Sequence, residues 1–414
     1  MSNAPSARRG RTSITSAILV SVTGLLLCSG LAVHHLGGRQ WDRMSTQAEQ
    51  QLAAWENQDF SRSVAWGESV AGNSFVFLDR AASRASELGG ADFNNGAEDR
   101  LLVDILIGKQ TNAETVQATL ARWAPVVAEL QAGARCNEAK PLTEVRKGFS
   151  ARIMNLLTLR RAVNAASATA RTQALEGEGV QAVQLGLDVL SVSADLFRSP
   201  TLIEHMIGAA LCTIVTTQVF TDEVLATLDG EALDLLAAGL ARIDGKVPVA
   251  MSLEGEVLLC AQGFANVEAT LTQVLQLPQW SAWRYGFSSR WMAAEGWLAY
   301  QDYATALDQS AHLPWPQRQA AMADAMERAL ATRNPVLDVM VPNLGGAERT
   351  LRTLATELRL LRLAVDQRNG TGTLDLPDPF GAGNLHQVVD VNGTYLRSEG
   401  TRADKRIERF VARG

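Results

Sequence analysis

The sequence predicts a mainly α-helical fold with an N-terminal transmembrane helix, an extracytoplasmic helical bundle or αα-hairpin array, and a small C-terminal β-hairpin. An uncharged run of 20 residues, Ile14–Val33, lies near the N-terminus. Proline is scarce, at 12 of 414 residues, and helix-forming residues such as alanine, leucine, glutamate and arginine dominate the body. Alternation of β-branched and polar residues is confined to the C-terminal tail.

The uncharged run predicts a membrane anchor. Twenty helical residues at 1.5 Å rise roughly match a hydrocarbon core of ~30 Å. Arg8, Arg9 and Arg11 precede the run, and positive flanks stay in the cytoplasm. We therefore predict a cytoplasmic tail at residues 1–13 and a transmembrane signal anchor at residues 14–36. The protein would span the bacterial inner membrane once, with its main domain in the periplasm.

Two other sequence features bear on the prediction of a single membrane anchor. Gly30-Leu31-Ala32 resembles a signal-peptidase site, which leaves open that the segment is removed. The run is longer than the ~7–15 apolar residues of a typical signal peptide, which favours a retained anchor. Leu202–Val219 is also apolar, but it contains Glu204, His205 and several other polar residues, so we predict a buried core helix there.

Helical periodicity extends over residues 40–366. One apolar stripe, for example, has spacings of 4, 3, 4 and 3 and consists of Val116, Leu120, Trp123, Val127 and Leu130. Ser199 and Pro200 suit the N-cap and the first turn of a helix. Helices are predicted at 40–60, 75–88, 101–107, 113–131, 142–175, 180–197, after Pro200, at 229–242, 253–275 and 349–366. Successive helix–turn–helix units predict antiparallel hairpins packed together.

The tail, residues 367–414, changes character after Asn369-Gly-Thr-Gly. Leu385–Val391 and Thr394–Arg397 have strand patterns and flank Asn392-Gly393, the strongest short hairpin signal. We predict a two-stranded hairpin here.

Three stretches of the body resemble one group of bacterial proteins. These are Trp66-Gly-Glu-Ser-Val-Ala-Gly-Asn-Ser-Phe, Gly133-Ala-Arg-Cys, and Leu187-Asp-Val-Leu with Asp195-Leu-Phe-Arg-Ser-Pro-Thr-Leu-Ile-Glu-His-Met-Ile-Gly-Ala-Ala. They resemble membrane-anchored helical proteins of myxobacteria and related bacteria. The resemblance extends over about two-thirds of the chain. It implies a helical architecture and an envelope location, and it implies no chemistry.

The tail resembles a second family. Leu376-Pro-Asp-Pro-Phe-Gly followed by Tyr395-Leu-Arg-Ser-Glu-Gly is similar to the C-terminal part of major pseudopilins of type II secretion. The resemblance implies a turn that leads into a hairpin and then a calcium loop. In place of that loop, residues 400–406 offer one well-placed acid, Asp404, and three cations. Ca²⁺ takes 6–8 oxygen ligands, so we predict no calcium here.

Phe380 occupies the turn of this second resemblance. Pro379 restricts Asp378 to extended geometry, and Gly381 can adopt a positive φ, so the chain can reverse here. We predict that Phe380 is buried against the Arg349–Asp366 helix, beside Leu358 or Leu361.

Charge and histidine usage argue against two classes of ligand. The formal net charge is −6, and because residues 1–39 hold four arginines and no acid, the remainder carries −10. Such a domain repels phosphate backbones, so we expect no nucleic-acid partner. The five histidines form no pair at helical ligand spacing. We therefore predict no metal site and no cofactor.

Three acids are the candidate catalytic residues. Asp188 and Asp195 are seven residues apart on one helix face, and Asp195 and Glu204 flank a proline in apolar surroundings. If any carboxyl has a raised pKa, we expect it to be one of these three. The alternative is that they cap helices or pair with arginines such as Arg160, Arg161 and Arg198.

Other features favour structural roles. Gly67-Glu-Ser69-Val-Ala-Gly72 approaches a nucleophile elbow, but Ala71 occupies the place of the second glycine and no strand pattern precedes Ser69. Eight aromatic residues between Trp280 and Tyr303 suit either a sugar platform or a core, and helical spacing favours the core. Of the four cysteines, Cys28 lies in the anchor and the others lie in the body. We expect buried thiols, with a Cys212–Cys260 bridge left open.

These observations lead to two functional hypotheses. The first is a membrane-tethered, non-enzymatic scaffold or interaction protein of the cell envelope, with protein partners there and contact with the membrane through residues 14–36. The alternative is an envelope hydrolase acting on glycan or peptidoglycan, with Asp188, Asp195 or Glu204 as its acid beside the aromatic segment.

Overall fold

A computed structural model of the chain describes residues 35–64, 66–89, 96–110, 112–264, 289–334, 337, 341, 344–370, 375–390, 393–402 and 405–412. The predicted cytoplasmic tail (1–13), and the predicted anchor (14–36) except its last two residues, lie outside the described residues.

The fold is mainly helical, as predicted. Among the described residues the helices are α1 (described over 35–56), α2 (Ser74–Gly89), α3 (Ala97–Leu106), α4 (Ala113–Ala134), α5 (Leu156–Leu175), α6 (Gly179–Asp195), α7 (Leu202–Ile214, continued by a π-helical turn at Val215–Val219), α8 (Asp222–Leu225), α9 (Gly230–Asp244), α10 (Glu254–Phe264), α11 (Ser289–Gln309), α12 (Trp315–Ala331) and α13 (Leu344–Arg368). The strands are β1 (Val70–Asn73), β2 (Cys136–Glu138), β3 (His386–Asp390), β4 (Gly393–Arg402) and β5 (Lys405–Ala412).

Helices α5 and α6 form the centre of the core. Both are buried along most of their length, and they pack against each other and between α2, α4, α7 and α9. Small residues allow this close packing. A side chain at Gly239 of α9 would clash with Leu187 of α6, and one at Gly186 would clash with the ring of Phe220. The predicted apolar stripe of α4, from Val116 to Leu130, faces this core.

Within the part of the chain that the structure describes, two helical segments are long and apolar enough to span a membrane by length and composition, Gly179–Arg198 and Leu202–Val219. The first is 78% buried and the second 50% buried inside the protein. Because both contribute to the core between other helices, burial in the body accounts for their hydrophobicity. This agrees with the prediction of a core helix at Leu202–Val219.

Two helix boundaries differ from the prediction. The long helix expected at 142–175 is broken, with a 3₁₀ segment at Val145–Ser150 and α5 beginning only at Leu156. Gly148 has a φ of +52° and lies so close to the backbone of Gly263 that no side chain fits. Helix α7 is capped by Thr201, whose hydroxyl accepts a hydrogen bond from Glu204 N, and not by Ser199.

The tail forms a three-stranded antiparallel sheet in the order β3–β4–β5. The predicted hairpin is confirmed, because β3 and β4 pair antiparallel from His386 with Arg397 to Asp390 with Gly393. Gly393, predicted to lie in the turn, is the first residue of β4. The third strand, β5, was not predicted. Leu396 and Ile407 point from this sheet into the main core, so the tail shares the hydrophobic core of the helices. A short parallel pair also joins β1 to β2.

Phe380 is buried, as predicted, with 5% of its surface exposed. Its described ring contact is with Trp315 of α12, edge-on at 6.0 Å between centroids. Helix α13 holds the turn by hydrogen bonds, because Arg352 donates to Pro379 O and Arg359 donates to Pro377 O at 2.8 Å.

Candidate functional site

Asp195, at the end of α6, is buried in an ion pair with Arg62. The Ser74 hydroxyl donates to the same carboxylate oxygen at 2.9 Å. The Arg62 guanidinium also donates to the carbonyl oxygens of Cys136, at 2.6 Å, and Gly133. Asp195 therefore fixes the segment before β1 against α6 and the end of α4, and its two partners, Arg62 and Ser74, have structural roles.

Asp188 lies two turns earlier on α6 and is also buried. Trp66 Nε1 donates to one carboxylate oxygen at 2.6 Å, and Arg135 Nη2 donates to the other at 3.2 Å. Burial raises the pKa of this carboxyl to about 6, although the hydrogen bond from Trp66 and the charge of Arg135 lower it. Of the three candidates, Asp188 therefore has a pKa suited to proton transfer near neutral pH.

Glu204 occupies the first turn of α7 in a separate set of hydrogen bonds. The hydroxyl of Thr201 donates to its carboxylate at 2.6 Å and that of Thr143 at 3.2 Å. Burial raises its pKa. Glu256 of α10 accepts a hydrogen bond from Leu202 N at 2.6 Å, and burial, with the nearby charge of Glu204, raises its pKa too.

The arginines named as possible partners from the sequence are the wrong ones. Asp188 and Asp195 pair with Arg135 and Arg62, whereas Arg161 pairs with Asp99 at 2.9 Å. Arg198 donates to the carbonyl oxygen of Phe60 at 3.2 Å. Periodicity within one helix carries no information on these partners, because Arg62 and Asp195 are 133 residues apart in the chain.

A second buried ionic cluster was missed from the sequence. Glu348 of α13 accepts from Arg318 of α12 and from Arg352, with contacts of 2.9–3.1 Å. Arg318 also donates to carbonyl oxygens of Leu307 and, at 3.3 Å, of Met251. The cluster joins α11, α12, α13 and the Pro379 turn. Glu348 and Arg352 are four residues apart, a spacing that usually marks a solvated helix face, so the sequence offers no signal of burial.

The surroundings of the Ser69 motif and of the described part of the aromatic segment indicate structural roles. Ser69 is exposed and directly precedes β1, whereas a nucleophile elbow has its strand before the serine. In α11, Trp297, Tyr300 and Tyr303 are buried in the core, and Trp297 Nε1 donates to Val257 O at 3.1 Å. The earlier part of the aromatic segment, residues 280–287, lies outside the described residues.

The described thiols are free and buried, so Cys212 and Cys260 form no bridge. Burial raises the pKa of Cys212 to about 12, which keeps it protonated. Within the described ranges, no group of three or more histidine, cysteine or acidic side chains is arranged to hold a metal ion.

The largest described cleft lies away from Asp188, Asp195 and Glu204. It has a volume of about 470 Å³ and lies between β5, α13 and the end of α7. Asp188, Asp195 and Glu204 line none of the described cavities. The three acids are thus buried away from the described cavities, and the largest of those cavities is lined by the tail strand β5.

Asp188 makes the stability of the protein depend on pH. Its pKa is raised from 3.8 to about 6, so the unfolded chain loses this proton before the folded chain does. The resulting stabilisation is complete below about pH 4 and is lost as the pH rises through 6. We expect the free energy of unfolding of wild type to fall, relative to that of Asp188→Asn, by on the order of 2–3 kcal/mol between pH 4 and 7.

Urea titrations of both proteins across this pH range measure the difference. Glu327→Gln, at an exposed position on α12, is the control and should run parallel to wild type. A constant difference between wild type and Asp188→Asn would show that the Asp188 carboxyl titrates at its ordinary pKa.

Comparisons of the chain with protein-family models, with curated proteins and with solved structures found no match.

Proposed function

We propose that this protein is a membrane-tethered, non-enzymatic scaffold of the bacterial cell envelope that binds protein partners there. The observation that carries the proposal is the burial of Asp188, Asp195 and Glu204 inside hydrogen-bonded contacts. Each carboxylate holds chain segments together and lines none of the described cavities. Acids with these contacts stabilise the fold, and the surface of the protein remains available to bind protein partners.

The start of the body supports a short tether. The described part of helix α1, residues 35–56, continues directly along the chain from the anchor predicted at residues 14–36. Met44 and Ala48 of this helix are buried in the main core. A body whose first helix packs into its core this soon after the anchor would stay close to the membrane surface.

The hydrolase alternative has a specific requirement. A glycosidase places two carboxyl groups on either side of a bound sugar, about 5–10 Å apart in an open cleft. Asp188 has a suitably raised pKa, but its two oxygens face Trp66 and Arg135. Substrate would have to displace both of these partners.

Release of soluble glycan fragments separates the two functions. Purified full-length protein in detergent is incubated with bacterial peptidoglycan, beside Asp188→Asn and Glu204→Gln. For a scaffold, we expect fragments at the level of the protein-free control in every sample. Fragment release by wild type that either substitution abolishes, with the fold intact by circular dichroism, would overturn the proposal in favour of the hydrolase.

The tether gives a prediction of its own. We expect Leu26→Arg to abolish stable membrane association, because a cation at mid-bilayer costs about 2.5–3.5 kcal/mol on insertion scales. Leu26 lies outside the described residues, at the middle of the uncharged run. Sedimentation of membranes after alkaline washing measures the effect, with Leu26→Val as the control. If Leu26→Arg sediments as wild type does, the body itself binds membranes and the tether is wrong.

A further inference from the structure

Strand β5 is an edge of the tail sheet. Among the described residues it pairs with β4 alone, because the strand order is β3–β4–β5. Six consecutive residues, Lys405–Phe410, line the cleft of about 470 Å³. Successive side chains of a strand point to opposite faces of a sheet, so a cleft lined by six in a row runs along the edge itself. The unpaired N–H and C=O groups of an edge strand are a template for another strand.

The far side of the cleft is formed by helices. Thr216, Thr217 and Thr221 come from the end of α7 and the start of α8, and Glu357 and Leu360 come from α13. This wall presents hydroxyl groups, the apolar side chain of Leu360 and the carboxylates of Asp222 and Glu357 to a strand that enters the cleft. Asp222 is paired with Arg409 of β5.

Arg409 links β5 to the end of α7. Its guanidinium donates to Phe220 O and, at 3.4 Å, to Thr216 O at the end of α7. It also lies 3.7 Å from the Asp222 carboxylate. The edge is therefore fixed in place before anything binds, which reduces the entropic cost of binding.

The exposed charge along β5 is positive. Glu408 is paired with Arg397 of β4 at 2.8 Å, and Arg409 faces Asp222. Lys405 and Arg406 are exposed, and within the described part of the chain neither has an acidic partner. Positive charge on an edge repels the same edge of a second copy and attracts an acidic strand.

We propose that the free edge of β5 binds an extended acidic segment of a partner protein as a fourth strand of the tail sheet. The backbone of β5 supplies the hydrogen bonds. Lys405 and Arg406 are neighbours and therefore point to opposite faces of the sheet, so each selects an acidic side chain on its own face. Strand addition of this kind draws its affinity from the main chain and its specificity from alternate side chains. The inference rests on the proposed scaffold function and names the chemistry of a partner.

The probe is a fluorescent eight-residue peptide in which pairs of glutamates alternate with pairs of valines, so that acidic side chains lie on both faces of the strand. It is titrated with full-length protein in detergent and followed by anisotropy. We expect wild type to bind it and to bind the lysine–valine counterpart at least tenfold more weakly. Lys405→Glu combined with Arg406→Glu should weaken binding of the acidic peptide at least tenfold. Lys109→Glu combined with Arg290→Glu changes the net charge equally at exposed positions on other elements and should leave binding unchanged.

A peptide methylated on every second backbone nitrogen tests strand pairing. We expect methylation on the side that faces β5 to abolish binding and methylation on the other side to leave it intact. Equal affinity for the acidic and lysine peptides, equal losses in both double variants, or insensitivity to methylation on both sides would each overturn the inference. So would a β5-dependent dimer of the free protein, because a second copy would then occupy the edge. Failure of this kind leaves membrane association and the glycan assay unchanged, so it is distinguishable from failure of the scaffold proposal.

Discussion

Replacement of Glu348 by alanine is expected to lower the free energy of unfolding by about 3–5 kcal/mol, because it leaves two buried guanidinium groups without a counter-charge. Arg318 and Glu348 are completely buried, and Arg352 is nearly so. Loss of the carboxylate also removes the acceptor of Met251 N at 3.3 Å. Because the cluster connects α11, α12, α13 and the Pro379 turn, the loss should reduce stability globally.

Chemical denaturation of purified protein measures the change. Glu327→Ala, on the exposed side of α12, is the matched control and should alter stability by no more than about 0.5 kcal/mol. If Glu348→Ala is as stable as Glu327→Ala, water reaches the two guanidinium groups and the cluster is not a buried one.

Truncation of Phe380 to alanine is expected to cost about 3–5 kcal/mol and to release the tail from the body. The ring packs edge-on against Trp315 and so close to Gly400 that a side chain there would clash with it. Asp378 organises the turn, because its carboxylate accepts from Ser398 Oγ and Glu399 N, both at 2.7 Å. Removal of the ring leaves this turn without its apolar contact with α12.

Limited proteolysis with mass spectrometry reads out this effect. We expect new cleavage after Asp366 in Phe380→Ala, while the helical body resists protease as in wild type. Val389→Ala is the control, because Val389 is 68% exposed on β3 and its truncation leaves the core intact. A Phe380→Ala tail that resists protease as well as the control would mean that the sheet docks without this ring, through the arginine contacts alone.

Some helices and strands could be predicted from short-range sequence patterns, such as apolar residues that recur with the period of a helix or a turn motif between two strands. The stripe from Val116 to Leu130 identified the buried face of α4, and Asn392-Gly393 identified the β3–β4 hairpin. Strand β5 was not predicted from the sequence, because an arginine, Arg409, occupies an inward position and breaks the apolar alternation. Its partners at the end of α7 are fixed only when the chain is folded.

The surroundings of the three candidate acids were predicted in part. Asp188, Asp195 and Glu204 are buried, and the pKa values of Asp188 and Glu204 are raised, as expected for acids in apolar surroundings. Their partners were not predictable, because Arg62 and Trp66 lie more than a hundred residues from α6 in the chain. A charge in apolar sequence surroundings can be expected to need a partner when it is buried, but only tertiary packing decides which residue is that partner.

The most direct measurement of the scaffold claim is quantitative affinity purification of the tagged full-length chain from chemically cross-linked envelope membranes. The account predicts that wild type and Asp188→Asn recover the same envelope proteins in the same ratio, and that Leu26→Arg loses them with the membrane. Recovery of the chain with nothing enriched above an untagged control would contradict it.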